Sequence, residues 1–276
     1  MRINFFDILA WIAPAIILSV LAILIIPLII HGWPELSWSY FTEEPRRSGR
    51  LGGISTILVA NALILLVCMA TALPLGLGTA VFLDEVGRQN QGWARLIRSS
   101  LDVLGGVPSI VFGLFGNAFF CKALGLGFSI ASGGLTLACM VLPLVIRTTE
   151  EGLRSVPEDY RMGAASLGFR RTSTLTHLLL PVAFPSLAIG FVLGVGRALA
   201  ETAALVFTSG YVDRMPSSLL DSGRSISVHI YDLAMNVAGG DRKAYAASLT
   251  LLFLLFAINV SATLIGERWL RDRIQT

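Results

Sequence analysis

ISTILVANALILLVCMATALPLGLGTAVFL, residues 54–83, runs for thirty positions without an Asp, Glu, Lys, Arg or His. A bilayer core asks for about 20 apolar residues per helix, and only helices or closed barrels satisfy their backbone polar groups in hydrocarbon. Barrel strands alternate apolar and polar over about ten residues; this run is longer and does not alternate, so it reads as a membrane-spanning helix. Five further stretches repeat the pattern: residues 8–30, 99–121, 129–147, 181–209 and 244–266. Asp102 and Pro108 interrupt the third run, and Arg197 and Glu201 lie inside the fifth. The first is longer than the apolar core of a signal peptide and has no small-residue cleavage site after it, so it is expected to stay as a span.

The whole composition agrees. Of 276 residues, 54% are hydrophobic and 14% charged, against about 25% charged in a soluble domain. Mean hydropathy is +0.73. Soluble globular and disordered classes are both excluded. The expectation is an all-α membrane protein with about six transmembrane helices, forming one domain over residues 1–276 with both termini on the same side.

Charge placement sets the orientation. With both termini in the cytoplasm, the inside segments hold Arg2, Arg88, Arg95, Arg98, Arg147, Arg154, Arg161, Arg170, Arg171, Arg268, Arg271 and Arg273. The outside segments hold Arg46, Arg47, Arg50, Lys122, Arg214, Arg224, Arg242 and Lys243. Twelve against eight favours that orientation, modestly. The net charge of +3 is scattered among apolar runs with no basic stripe, so no nucleic-acid partner is expected. Cys68, Cys121 and Cys139 read as small packing residues, and His31, His177 and His229 are too far apart in sequence to suggest a metal site. Trp33, Trp38, Tyr40 and Phe41, in the segment 31–53, read as aromatic anchors at the membrane surface.

The longest inside loop, residues 148–180, reads TEEGLRSVPEDYRMGAASLGFRRTSTLTHLLLP from Thr149 to Pro181. Pro157 suits the first position of a helix, and Glu158 and Asp159 fall in its first turn, where the helix dipole favours anions. Gly168 suits the position just past its end. The spacing predicts a short helix over 157–167 carrying Met162, Ala165 and Leu167. A second helix is expected to start behind a Thr172 or Ser173 cap and to run into the fifth span. Such a pair either presents a knob to a cytosolic protein or merely connects two spans.

Gly168, Leu178, Leu180 and Pro181 resemble, at matching spacing, the Glu-Ala-Ala loop of binding-protein-dependent ABC importer permeases. Ala164 fits that pattern, whereas Met162 stands in the place of the Glu and Gly163 in that of the first Ala. LGGVPSIVFGLFG (104–116), LPLVIRTTEEGLRSVPEDYR (142–161) and GRALAETAALVFTSG (196–210) resemble segments of phosphate importer permeases. The stretch 42–53 is similar to the external loop of one of the two permease types in such importers, the PstA type. The resemblance implies a MetI-like six-helix bundle with a cytoplasmic coupling loop, built into the bacterial inner membrane. It implies a second permease subunit, two ATP-binding subunits, an external phosphate-binding protein and surrounding lipid as partners. It also implies that Pro157, Glu158, Asp159, Met162, Gly163, Ala164 and Gly168 form the ATPase-coupling element.

Arg197 and Glu201 stand four residues apart, on one face of any continuous helix. Each charge costs roughly 2.5–3.5 kcal/mol in mid-membrane on insertion scales. They form either an ion pair that lets the helix insert, or a pathway site. In the second reading the Arg fork binds phosphate oxygens, and Glu201 orients and partly neutralises it. The resemblance favours the second. Asp102 reads as a membrane-edge residue. Gly190 and Gly194 form a GxxxG pair suited to close helix packing, and Pro108 is either a packing feature or a gap beside the path.

Neither Lys122 nor Lys243 sits in a G-x-x-x-x-G-K-[ST] loop, so no ATP-binding P-loop is present in the sequence. The chain is expected to be no enzyme and to hold no cofactor itself, with ATP and Mg on partner subunits. The alternatives are the same architecture carrying another oxyanion, or a secondary transporter driven by an ion gradient. No internal repeat of the kind many secondary transporters carry is visible.

Overall fold

The computed structural model describes residues 5–85, 87 and 91–274, with side chains described for 11–85, 87 and 91–264. Arg2 and Arg88 lie outside the described residues, as do the side chains of Arg268, Arg271 and Arg273. Among the described residues five helices are long and apolar enough to cross a membrane, or six if one bent pair counts as a single crossing. The chain is a multi-pass membrane protein.

The first run becomes α1 (Phe5–Gly32) and the second α3 (Ser55–Glu85). Between them lie a 3-10 turn (Trp33–Glu35), the short α2 (Trp38–Thr42) and a two-stranded hairpin, β1 (Pro45–Arg46) against β2 (Leu51–Gly52). This is the hairpin end of the molecule. Tyr40 is not a surface anchor there. It is buried with Ile54, Ile57, Ile226 and Ala246, under the Lys243 ammonium 5.1 Å from its ring centre. Trp33 and Trp38 do remain exposed.

The third run departs from a straight rod. It forms α4 (Gln91–Gly106) and α5 (Ser109–Gly116), the latter continuing as a π-helical stretch over Asn117–Ala123, and the two parts are bent by 100°. The cause is local. Gly105 and Gly106 are poor helix formers, and Pro108 pushes Val107 out of helical geometry. The α4 part is also too polar on one side, through Arg95, Arg98 and Asp102, to lie wholly in hydrocarbon.

The fourth run is α6 (Ile130–Arg154), opened by Ser129, whose hydroxyl accepts from the Ser132 amide at 3.1 Å. α7 (Glu158–Ser166) follows at the opposite, loop end. A helix then runs from α8 (Arg171–Thr174) through a π-helical turn (Leu175–Leu179) into α9 (Leu180–Leu199). That helix starts at Arg171, with no side-chain cap at Arg170, so Thr172 and Ser173 lie inside it. It ends at Leu199 rather than near 209; α10 (Ala203–Val206) is separate. α11 (Ile226–Met235) and α12 (Asp241–Ile274) complete the chain.

The core sits where α3, α6 and α9 meet. Ile64, Cys68 and Ala72 pack with Leu137, Val141 and Val145 and with Val195 and Leu199. The glycine pair allows the close approach: a β-carbon at Gly194 would stand 2.8 Å from Val141 Cγ1, and one at Gly190 would overlap Thr148 Oγ1. α6 is the most enclosed span, and α1 the least, buried nowhere along its membrane stretch. α1 touches the rest through α12, where His31 stacks on Tyr245 at 5.1 Å. Cys68 and Cys121 are buried and Cys139 half-buried, all as free thiols, and no metal-binding cluster occurs among the described residues.

Candidate functional site

Arg197 lies in the last turn of α9 and is exposed on the surface of the chain. Among the described residues it makes no ion pair, with Glu201 or with any other carboxylate. Because α9 stops at Leu199, the shared helical face expected of Arg197 and Glu201 is lost. Glu201 is half-buried beyond the helix end. Its Oε1 accepts from the Ala204 amide at 3.1 Å, and its backbone carbonyl accepts from Ser227 Oγ at 2.5 Å. Its side chain therefore secures the start of α10, and Arg197 keeps its full donor set. An unpaired guanidinium at the end of an apolar span cannot face lipid cheaply. It needs water, an anion or another protein.

At the loop end, Pro157 sits just before α7 in extended geometry, and Glu158 and Asp159 occupy the first turn. The helix closes as its residues dictate. Gly168 has φ +77°, its amide donates to Ala165 O at 3.0 Å, and the Phe169 amide donates to Ala164 O at 3.0 Å. That pair of bonds is a Schellman closure, which needs the left-handed residue. Ala164 is the buried anchor of α7, while Tyr160, Met162, Leu167 and Phe169 are all exposed. Gly163 has open space where a β-carbon would go. A short helix thus presents an apolar knob away from the bundle.

The sequence did not single out what ties this knob down. Arg161 binds two acidic residues at the end of α3: the Asp84 carboxylate, and Glu85 Oε1 at 2.5 Å. Asp84 is 1% exposed, Glu85 29% and Arg161 13%. Beside this clasp Arg98 of α4 reaches Glu150 of α6 at 2.7 Å, Arg154 reaches the same carboxylate at 3.0 Å, and Arg147 pairs with Asp102. The available signal is an Asp-Glu pair ending an apolar run, with an arginine in the long loop 148–180 on the same side of the membrane.

At the hairpin end, Arg224 is buried and held by several partners. It donates to Tyr211 O at 2.8 Å, pairs with Asp232 at 3.1 Å and lies 3.4 Å from His229 Nδ1. Burial, helped by the Arg224 charge and opposed by Asp232, pulls His229 down from its usual value to about 4. Gly49 of the hairpin packs directly over that imidazole.

These features, a glycine-packed bundle, a short surface helix clasped to it and a lone arginine ending a span, are those of a transporter's membrane subunit. The family model described as "Binding-protein-dependent transport system inner membrane component" matches residues 72–271, and the chain belongs to that family of ABC importer permeases. It is 32% identical over 267 residues to the probable ABC transporter permease protein YqgI of Bacillus subtilis, covering 91% of this chain and 90% of that one. It is 30% identical over 243 residues to the phosphate transport system permease protein PstA 1 of Mycobacterium tuberculosis, covering 86% and 79%. Among solved structures, a chain of a bacterial alginate ABC transporter superposes with a TM-score of 0.69 at 16% identity, covering 95% of this chain and 94% of that one. A chain of the inward-facing MetNI methionine transporter gives 0.59 at 15%, covering 79% and 94%.

Proposed function

We propose that the chain is a permease subunit, of the PstA type, of an ATP-driven importer for inorganic phosphate in the bacterial inner membrane, with both termini cytoplasmic. In this reading residues 1–276 form one permease domain. It pairs with a second permease subunit, receives phosphate from an external binding protein, and is driven by two ATP-binding subunits that carry the ATP and Mg. The carrying observation is the exposed Arg197, unpaired among the described residues, at the end of a membrane span. Its guanidinium forks onto phosphate oxygens. With Glu201 engaged in capping α10, that charge is not cancelled within the chain. A second permease facing Arg197 would close the pathway around it. The phosphate transport relatives support the substrate, whereas the alginate and methionine transporters support only the fold.

The α7 knob, from Pro157 to Gly168, is the docking element for an ATP-binding subunit. Met162 in place of a Glu makes that contact apolar at this point. The element comprises Pro157, Glu158, Asp159, Met162, Gly163, Ala164 and Gly168, with Arg161 linking it to α3.

Uptake of labelled phosphate tests the reading. It should be lost with Arg197→Ala at unchanged membrane abundance, and lost with an ATPase-dead partner while the proton gradient is intact. Uptake that survives the dead ATPase makes the chain part of a gradient-driven carrier instead. Full competition by sulfate reassigns the substrate to another oxyanion.

A further inference from the structure

α4 has three distinct faces. Ala94 and Leu101 are buried against Leu83 and Ile146. Arg95, Arg98, Ser99 and Asp102 line an open cavity of about 530 Å³, shared with Asp84 of α3 and Arg154 of α6. Trp93, Leu96 and Val103 form the third face, apolar and exposed at 65%, 58% and 71%. At 3.6 residues per turn Arg95 and Ser99 stack one above the other, and Leu96 and Val103 stack beside them. A polar strip therefore borders an apolar strip along the helix.

The charges in the cavity do not cancel. Arg98 and Arg154 share Glu150, Arg147 takes Asp102, and Arg161 takes Asp84. Arg95 is exposed and makes no ion pair among the described residues. A free guanidinium on the boundary of a polar cavity and an exposed apolar strip matches one kind of ligand, an anion attached to hydrocarbon. An exposed tryptophan at the end of an amphipathic helix is the usual mark of a membrane interface.

We propose that this cavity binds the phosphate headgroup of an anionic phospholipid of the inner leaflet, with Arg95 as its cation and the acyl chains lying on Leu96 and Val103. The proposal rests on the orientation given above only in placing the α7 end on the cytoplasmic side. The bound lipid would brace α4 against the inner ends of α3 and α6, beside the Arg161 clasp.

The test is native mass spectrometry of the chain purified from membranes with its accompanying subunits, offered phosphatidylglycerol or phosphatidylcholine of the same chain length. Phosphatidylglycerol should be retained selectively. Arg95→Gln should lower its retention by about tenfold, the worth of one charge-assisted hydrogen bond, with subunit composition unchanged. Arg95→Lys should recover part of it, and Leu96→Asn should lower retention of both lipids. Equal retention of the two lipids, or no change with Arg95→Gln, overturns the proposal. So does an inorganic phosphate adduct that Arg95→Gln removes, if no lipid selectivity accompanies it. A photo-crosslinker at Val103 recovered on protein rather than lipid overturns it too. Lipid retention is read without ATP or transport, so this result and that of the uptake experiment stand or fall separately. Labelling of a cysteine placed at Ser166 from inside vesicles checks the orientation on its own.

Discussion

Replacing Arg161 with Ala removes the side chain that, among the described residues, binds both Asp84 and Glu85. Breaking a buried pair by deleting one partner costs about 3–5 kcal/mol, because the remaining charge stays desolvated. Glu85 is 29% exposed and recovers water, so its share falls to the about 0–1 kcal/mol of a surface pair. Asp84, at 1% exposure, does not recover water and carries most of the cost, while the further polar contact it keeps holds that cost to the lower end of the range. An overall loss of about 3 kcal/mol is therefore expected. The loss is local. The α3–α6–α9 core does not involve Arg161, while the buried apolar anchors of α7 among the described residues are Ala164 and the nearby Val156. Hydrogen exchange on the reconstituted protein reads it directly. Amides of residues 158–166 should lose protection by roughly 150-fold, the equivalent of 3 kcal/mol, with amides of 60–72 unchanged. Arg161→Lys should show a smaller loss, since a single ammonium cannot fork onto two carboxylates. Protection in α7 that stays within threefold of wild type refutes the clasp.

Further outcomes follow from other contacts. Gly190→Ala should lower thermal stability, because its β-carbon meets the branched Thr148, and Thr148→Ala in the same chain should restore part of the loss. Failure of the double variant to recover would sink the close-packing account. Gly168→Ala forces an L residue to φ +77° and should cost about 1–2 kcal/mol, read as increased proteolysis after α7. His229, held down at about 4 against 6.5 when unfolded, favours the neutral form in the folded state. Its contribution is whole above pH 6.5 and falls as the unfolded imidazole takes up a proton between pH 6.5 and 4, by about 3 kcal/mol in all. Thermal unfolding across that interval should show the loss, and His229→Gln should flatten it; an unchanged slope in the variant would disconnect His229 from it.

Much of this architecture could be read from residue order, because hydrocarbon imposes one rule along every span. The uncharged run at 54–83 and the cap signals around Pro157 and Gly168 were decided locally, and the structure keeps them within a few residues. The breaks were harder. Pro108 marks an interruption of the third run, but the 100° angle depends on α4 having a polar side that binds α6, which no local pattern displays. The end of α9 at Leu199 was hidden because GRALAETAALVF lacks both Pro and a terminal Gly. Glu201 leaves the helix through hydrogen bonds to Ala204 and Ser227, and Ser227 is 26 residues away in the chain. The Arg161 clasp left only a faint trace, the Asp-Glu pair ending an apolar run, for the same reason: its partners are 76 and 77 residues distant.

The π-helical turn at Leu175–Leu179 acts as a spacer that fixes rotational phase. It accommodates one residue more than an α-helical turn would between Arg171 and the start of α9. Each residue of an α-helix turns the chain by about 100°. The wide turn takes up that surplus residue within a single revolution instead of passing the rotation on, so excising Thr176 would close it to an ordinary α-helical turn with little change of heading beyond it. One residue inserted into the regular helix of α9 would instead swing everything after it by roughly 100°, so the bearing of Arg197 around the bundle tolerates a length change at the π turn and nowhere after it.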